Sequence, residues 1–260
     1  MRAVDEIARL ARDIGTHLLQ IRDEGGAKGQ WDGAQFKAVA DVVAHDAWVA
    51  GLNRAFPDVP VISEEGMSSH LSGVPQQFWL VDPLDGTASY SGGFPGFVTQ
   101  AALVVDGDVT LSVVFAPSFE QLYVAKRGGG AWLNNHRLMR KVPDKLEALI
   151  DNYPEPRGIA KSAFVDLKLS QYIECGSISL KILRVADGTA DLFIKDVLVR
   201  DWDIAAPKLV IEETGGALLT SRGETCRLTG HAYHAGIIAA PSLAWSKRVA
   251  DWYIAEGSGE

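Results

Sequence analysis

Val4, Ile7, Ala11, Ile14, Leu18 and Ile21 recur at steps of three and four residues, which lays a single apolar stripe along a helix. The stripe stops at Glu24-Gly25-Gly26, and residues 25–37 are glycine-rich and polar, the composition of a mobile connection. A second helix is expected over about 38–56. Pro57 and Pro60 bracket the turn into VPVIS, a short strand ending at Glu64-Glu65. From Phe78 the period shortens. FWLVD, FVTQAALVV, VTLSVVFA and QLYVA are runs rich in β-branched and aromatic residues, with Asp106-Gly107 placed as a hairpin turn between two of them. Gly128-Gly129-Gly130 reads as a further turn, because the Lys-Ser/Thr of a phosphate-binding loop does not follow it.

Beyond about residue 150 the pattern alternates. Residues 177–186 read as a helix, ADLFI as a strand, and 203–213 as a helix ended by Gly215-Gly216. Strands ALLTS and GIIAA and a last helix near 242–255 complete the chain. A front half rich in meander and a back half of βαβ character predict an α/β (α+β) fold. The expected division is 1–150 and 151–260, both packed as one compact unit.

Composition narrows the function. The 260 residues are 47% hydrophobic and 22% charged, enough for one large core. A net charge of −8 argues against a general nucleic-acid binder, which needs a basic face. Cys175 and Cys226 alone indicate neither a disulfide framework nor a thiolate zinc site. MRAVDEIARLARDIG carries acids and no long apolar core, unlike a signal peptide. No apolar run reaches the length of a membrane span. The cytoplasm is the expected location.

Carboxylates carry the chemistry. Asp41 in VADVV, Glu64 and Glu65 in ISEE, Asp82 and Asp85 in VDPLDGT, and Asp201 and Asp203 in RDWD stand at predicted strand ends or helix starts. Strand ends are where α/β folds open their crevices. Acids gathered there repel one another unless divalent cations neutralise them, and oxygen-only ligands favour Mg²⁺ over zinc or copper. Pro83 fixes the backbone, so Asp82, the Leu84 carbonyl and Asp85 could face two neighbouring ions. Asp85 is expected to cap a helix whose first amides belong to Gly86 and Thr87, making an anion seat beside the ions. A metal pair next to a phosphate seat points to phosphate ester hydrolysis.

Other polar residues read more plainly. Asp201 is expected to be a surface charge, Lys181 a solvated helix lysine, Asp196 a turn residue after ADLFIK, and Cys175 a buried thiol. His231 and His234 fall in a loop-like HAYHAG. Ser177 lacks the G-x-S-x-G elbow of a serine hydrolase.

DPLDGT after an apolar strand, SEE upstream and WDIAA…ETGG downstream resemble the inositol monophosphatase superfamily of magnesium-dependent, lithium-sensitive phosphatases, in order and over nearly the whole chain. The resemblance implies a layered α-β-α-β-α sandwich of the inositol monophosphatase and sugar phosphatase type. It implies Glu64, Asp82 and the Leu84 carbonyl at a first metal, and Asp82, Asp85 and Asp203 at a second. Asp41 and Thr87 would orient the attacking water with help from Glu65, and the amides of Gly86 and Thr87 would receive phosphate. Residues 25–37 match the family's mobile flap, where a third ion is completed. Two or three Mg²⁺ are implied, replaceable by Mn²⁺, with Li⁺ and Ca²⁺ inhibitory and homodimerisation common. Where the family commonly has glycine after WDIAA, this chain has Pro207, expected in a first helical turn that tolerates it.

Two branches of the resemblance compete for the substrate. DVPVISEE and Ser179-Leu180-Lys181 are similar to nucleotidases acting on adenosine 3′,5′-bisphosphate, but Ala88 stands where those commonly carry lysine. The spacing from Gly176-Ser177 to Gly188, and Asp196 seven residues before Asp203 as an acceptor for hydroxyls, are similar to the polyol monophosphatases. A small sugar or polyol phosphate is preferred, because these differences fall where a leaving group would sit. A non-catalytic binding homologue is the rival class.

Overall fold

The computed structural model describes residues 2–26, 29–32, 35–66 and 73–257. Its helices are α1 (Arg2–Ile21), α2 (Val39–Ala55), α3 (Thr87–Ser91), α4 (Gly158–Asp166), α5 (Ile178–Asp187), α6 (Asp201–Glu213) and α7 (Leu243–Gly257). The first strands are β1 (Gly29–Asp32), β2 (Gln35–Ala38), β3 (Val61–Ser63), β4 (Gln77–Asp85), β5 (Val98–Val105), β6 (Asp108–Ala116) and β7 (Gln121–Lys126). The later ones are β8 (Gly130–Leu133), β9 (His136–Arg137), β10 (Ala148–Asp151), β11 (Gln171–Glu174), β12 (Phe193–Arg200), β13 (Ala217–Thr220) and β14 (Tyr233–Ala240).

Strands β3 to β9 form one sheet in chain order, parallel between β3 and β4 and antiparallel elsewhere. A second sheet has the order β12-β14-β13, and the parallel pair β10-β11 joins its edge through the Leu149–Leu192 bridge. The buried stripe of α1 (Ile7, Ala11, Ile14, Leu18) and Trp48 of α2 cover one face of the large sheet at Trp79 and Val113. Leu180 and Leu183 of α5, with Ile204 and Leu209 of α6, fill the space between the sheets against Val98, Tyr123, Phe193 and Ile237. Ala160 of α4 and Val249 of α7 close the far side on Ile194 and Ile238. The result is α-β-α-β-α. Because β4 is buried along both faces, it reads as a continuous apolar run rather than an alternating one.

Several local expectations change. Residues 29–32 and 35–37, expected within a mobile connection, and Ala38, expected to open the second helix, pair as an antiparallel hairpin; residues 27, 28, 33 and 34 of that segment lie outside the described residues. The loop-like HAYHAG is largely strand, since Tyr233 and His234 pair with Arg200 and Val199. Asp196 lies in β12 where its register with β14 shifts, and it is exposed, so the turn reading gives way to a bulge. Helix α6 starts at Asp201 rather than Asp203, which moves Pro207 into the helix interior. Among the described residues no helix is long and apolar enough to cross a membrane.

Candidate metal centre

Opposite β5, Asp82 pairs with Gln100 and Asp85 with Val98. Three steps on β4 therefore face two on β5, the count of a bulge. Pro83, which cannot donate to the ladder, lies inside it. The bulge re-aims both aspartates to one side. One carboxylate oxygen each from Asp82, Asp85 and Asp203 then fall within 4.8 Å of one another. Glu64 follows β3, its amide continuing the β3–β4 pairing to the Val81 carbonyl at 3.2 Å, and its carboxyl lies near enough to repel those of Asp82 and Asp203. His45 Nδ1 lies 2.8 Å from Ser63 Oγ and steadies that strand end.

These acids are short of compensation. Asp82 Oδ1 accepts from the Leu84 amide at 3.1 Å, but its buried Oδ2 has no hydrogen-bond partner among the described residues. Burial, with Asp203, Glu65 and Asp41 adding repulsion, pushes the Glu64 carboxyl up to about 8. Burial and Asp85 push Asp203 up to about 7, with the Arg200 amide pulling it back from 2.8 Å. Burial and Glu64 hold Asp82 well above the carboxylate range. Burial also raises Asp85, while hydrogen bonds from Ser179 oppose the rise. An orphaned buried oxygen among repelling carboxylates fits hard divalent cations, which reverse this local logic.

Asp85 does not cap α3. Its oxygens accept from the amides of Ser179 at 2.7 Å and Ile178 at 3.3 Å, so it caps α5 instead. The N-cap of α3 is Gly86, at φ 90°, a left-handed position that suits glycine. A Cβ there would come within 3.1 Å of Ser177 Cβ, and one on Gly176 would sit 1.9 Å from the Gly96 carbonyl. Glycine at both places brings the starts of α3 and α5 together, and Ser177 caps α5 through the Leu180 amide at 2.9 Å. Thr87 Oγ1 lies 3.0 Å from Asp41 Oδ1 and 3.1 Å from the Leu84 carbonyl. The structure thus gathers Asp41, Thr87, Leu84, Gly86, Gly176 and Ser177 around the clustered acids. Glu65 adjoins them in the turn after β3.

Two residues are far from their expected settings. Asp201 is no surface charge. It is fully buried and accepts from the amides of Thr229, Gly230 and Ala232 at 2.8–3.0 Å, with His234 Nε2 at 2.7 Å. Lys181 is likewise 2% exposed, with Nζ 3.8 Å from Asp151 Oδ1 and 4.9 Å from the Phe193 ring centre. Burial lowers its pKa to about 8 against the raising effect of Asp151. Gln100 was missed altogether. Its signal is an amide side chain in an otherwise apolar and β-branched strand, VTQAALVV, and its Nε2 reaches Ser179 Oγ at 2.6 Å and the Trp202 carbonyl at 3.0 Å.

The model of the inositol monophosphatase family matches residues 2–257. The chain belongs to that family. A Nus factor SuhB of Xylella fastidiosa is 32% identical over 231 residues, covering 85% of this chain and 82% of the relative. An inositol-1-monophosphatase of Mesorhizobium japonicum is 34% identical over 217 residues, covering 80% and 78%. Among solved structures, the extragenic suppressor protein suhB of Bartonella henselae superposes with a TM-score of 0.80 at 26% identity, over 96% and 98% of the two chains. The Thermotoga maritima IMPase gives 0.80 at 24% identity over 98% and 99%, a likeness of fold. The layered α/β fold described above is the one these inositol monophosphatase relatives share.

Proposed function

We propose that this chain is a Mg²⁺-dependent phosphomonoesterase acting on a small sugar or polyol phosphate. The observation that carries the reading is the approach of Asp82, Asp85 and Asp203 to within 4.8 Å around a buried, unpartnered Asp82 Oδ2. Glu64, Asp82, Asp85, Asp203 and the Leu84 carbonyl would hold two or three divalent cations, which supply charge stabilisation and acidify water.

The chain's own groups do the rest. A hydroxyl has one proton to donate and lone pairs with which to accept. Thr87 Oγ1 can therefore give its proton to Asp41 at 3.0 Å and accept from a water, directing that water's lone pair at phosphorus. Glu65 would help to place it. The amides of Ile178 and Ser179 are taken by Asp85 and that of Leu180 by Ser177. The first helical bond of α3 runs from the Tyr90 amide to the Gly86 carbonyl at 2.9 Å, so the amides of Gly86 and Thr87 lie ahead of it and would receive phosphate. Gly176 and Ser177 would then shape the seat rather than donate to it, and exposed Asp196 would meet the hydroxyls of the leaving group.

Purified protein with excess Mg²⁺ is expected to release inorganic phosphate from inositol 1-phosphate faster than from adenosine 3′,5′-bisphosphate, and Li⁺ is expected to inhibit. A faster rate on the bisphosphate would transfer the assignment to a nucleotidase. A second reading, a binding role without turnover, draws support from the relatives named Nus factor SuhB; no phosphate from any ester of a broad panel would favour it.

A further inference from the structure

Proline inside a helix lacks the N–H that would reach back four residues, so the carbonyl at that position loses its partner. In α6 the proline is Pro207 and the carbonyl is that of Asp203, the member of the acidic cluster contributed by a long helix. The carbonyl is nevertheless satisfied. Ser179 Oγ, from α5, donates to it at 2.7 Å. The amide of the same serine donates to Asp85 Oδ2 at 2.7 Å. Ser179 therefore grips two of the three clustered residues, one through each of its donors.

Gln100 fixes the direction of that grip. Its Nε2 must face the Trp202 carbonyl, 3.0 Å away, because a carbonyl only accepts. The same nitrogen donates to Ser179 Oγ at 2.6 Å, which occupies a lone pair and turns the hydroxyl proton toward the Asp203 carbonyl at 2.7 Å, with the Asp85 carboxylate beside it. Ser179 is fully buried, so solvent cannot replace any of these bonds. We propose that Ser179 is a positioning residue that sets the separation of Asp85 and Asp203, that Pro207 frees the carbonyl it holds, and that Gln100 locks its hydroxyl. The anchor of Asp203 is thereby moved from its own helix to the helix that Asp85 caps, and the two carboxylates are referred to one point.

The inference rests on the metal-binding reading of the cluster, and the test separates the two. Mn²⁺ is titrated into metal-free protein by calorimetry, with the paramagnetic resonance of free Mn²⁺ as a second readout. Ser179→Ala is expected to weaken binding by about tenfold or more, the scale known for groups that orient metal ligands. Pro207→Ala alone should stay within about threefold, since it only adds a donor in reach of a satisfied carbonyl. Combined with Ser179→Ala, it supplies the missing N–H, and most of the lost affinity should return. Unchanged binding in Ser179→Ala, or losses that simply multiply in the double variant, would overturn the proposal. Gln100→Met, which fills similar space but frees the hydroxyl, is an independent arm if Ser179→Ala does not fold. A loss of about threefold or more supports the lock, and wild-type affinity counts against it. A wild-type protein that binds no Mn²⁺ removes the metal reading and this inference together; binding that none of the variants alters removes this inference alone.

Discussion

Asp203→Asn and Asp85→Asn, each made alone, are expected to lower Mg²⁺-supported phosphate release by at least about 10³-fold, or about 4 kcal/mol of transition-state stabilisation. Each change removes a negative oxygen from the place where three carboxylates meet and substitutes an amide of weaker affinity for a hard cation. The effects should differ in kind. Asparagine at 203 can still accept from the Arg200 amide through its carbonyl oxygen, a bond now made at 2.8 Å, so the start of α6 keeps its geometry. Asparagine at 85 must cap α5 with one oxygen, where the aspartate serves Ser179 and Ile178 with two. Asp85→Asn should therefore also lower the melting temperature of the metal-free protein, whereas Asp203→Asn should leave it equal or higher by relieving repulsion. Turnover near the wild-type rate in both variants would place the chemistry elsewhere.

The second large effect is on stability as a function of pH. Glu64 rises from 4.5 to about 8 and Asp203 from 3.8 to about 7 on folding, and Asp82 and Asp85 move in the same direction. A carboxyl whose folded pKa exceeds its unfolded value binds its proton more tightly when folded. Its favourable contribution is complete below the unfolded value and disappears as pH rises through the folded one. Metal-free protein is thus expected to lose thermal stability between about pH 4 and pH 8, opposite to the behaviour of ordinary salt-bridged acids. Added Mg²⁺ should restore it strongly at pH 8 and hardly at pH 5, where protons compete for the same oxygens. Melting curves in chelator and in Mg²⁺ across this range decide the matter. A metal-free protein more stable at pH 8 than at pH 5 would contradict the prediction.

Much of this architecture was legible because its signals are local. The spacing of Ile7, Ile14 and Leu18 specifies a helix with one buried stripe, and the apolar run into Asp82 specifies a strand, which the structure buries on both faces. The acids of the cluster were also legible, since Asp82, Asp85 and Asp203 sit in ordered motifs that share one explanation. Long-range satisfaction was not legible. Asp201 and Lys181 look like solvated charges until Thr229 to His234 and Asp151 arrive from elsewhere in the chain. Asp85 looked like the cap of the next helix because its real partners, Ile178 and Ser179, lie more than ninety positions away. Helix α4 and strands β10 and β11 passed unnoticed for a different reason: ALID and QYIE are too short to establish a period, and GIAKSAFVD has little apolar sidedness.

The placement of Asp203 on α6, between the two sheets, has a consequence for biosynthesis. Residues 64, 82 and 85 leave the ribosome long before residue 203, so the early acids stand without Asp203 while the intervening chain is made. A nascent chain cannot bring the carboxylates of Asp82, Asp85 and Asp203 within 4.8 Å of one another until α6 has emerged and docked. The acidic cluster is thus assembled only after the large sheet that carries Asp82 and Asp85 has been made, so any uptake of a cation there would follow the making of that sheet.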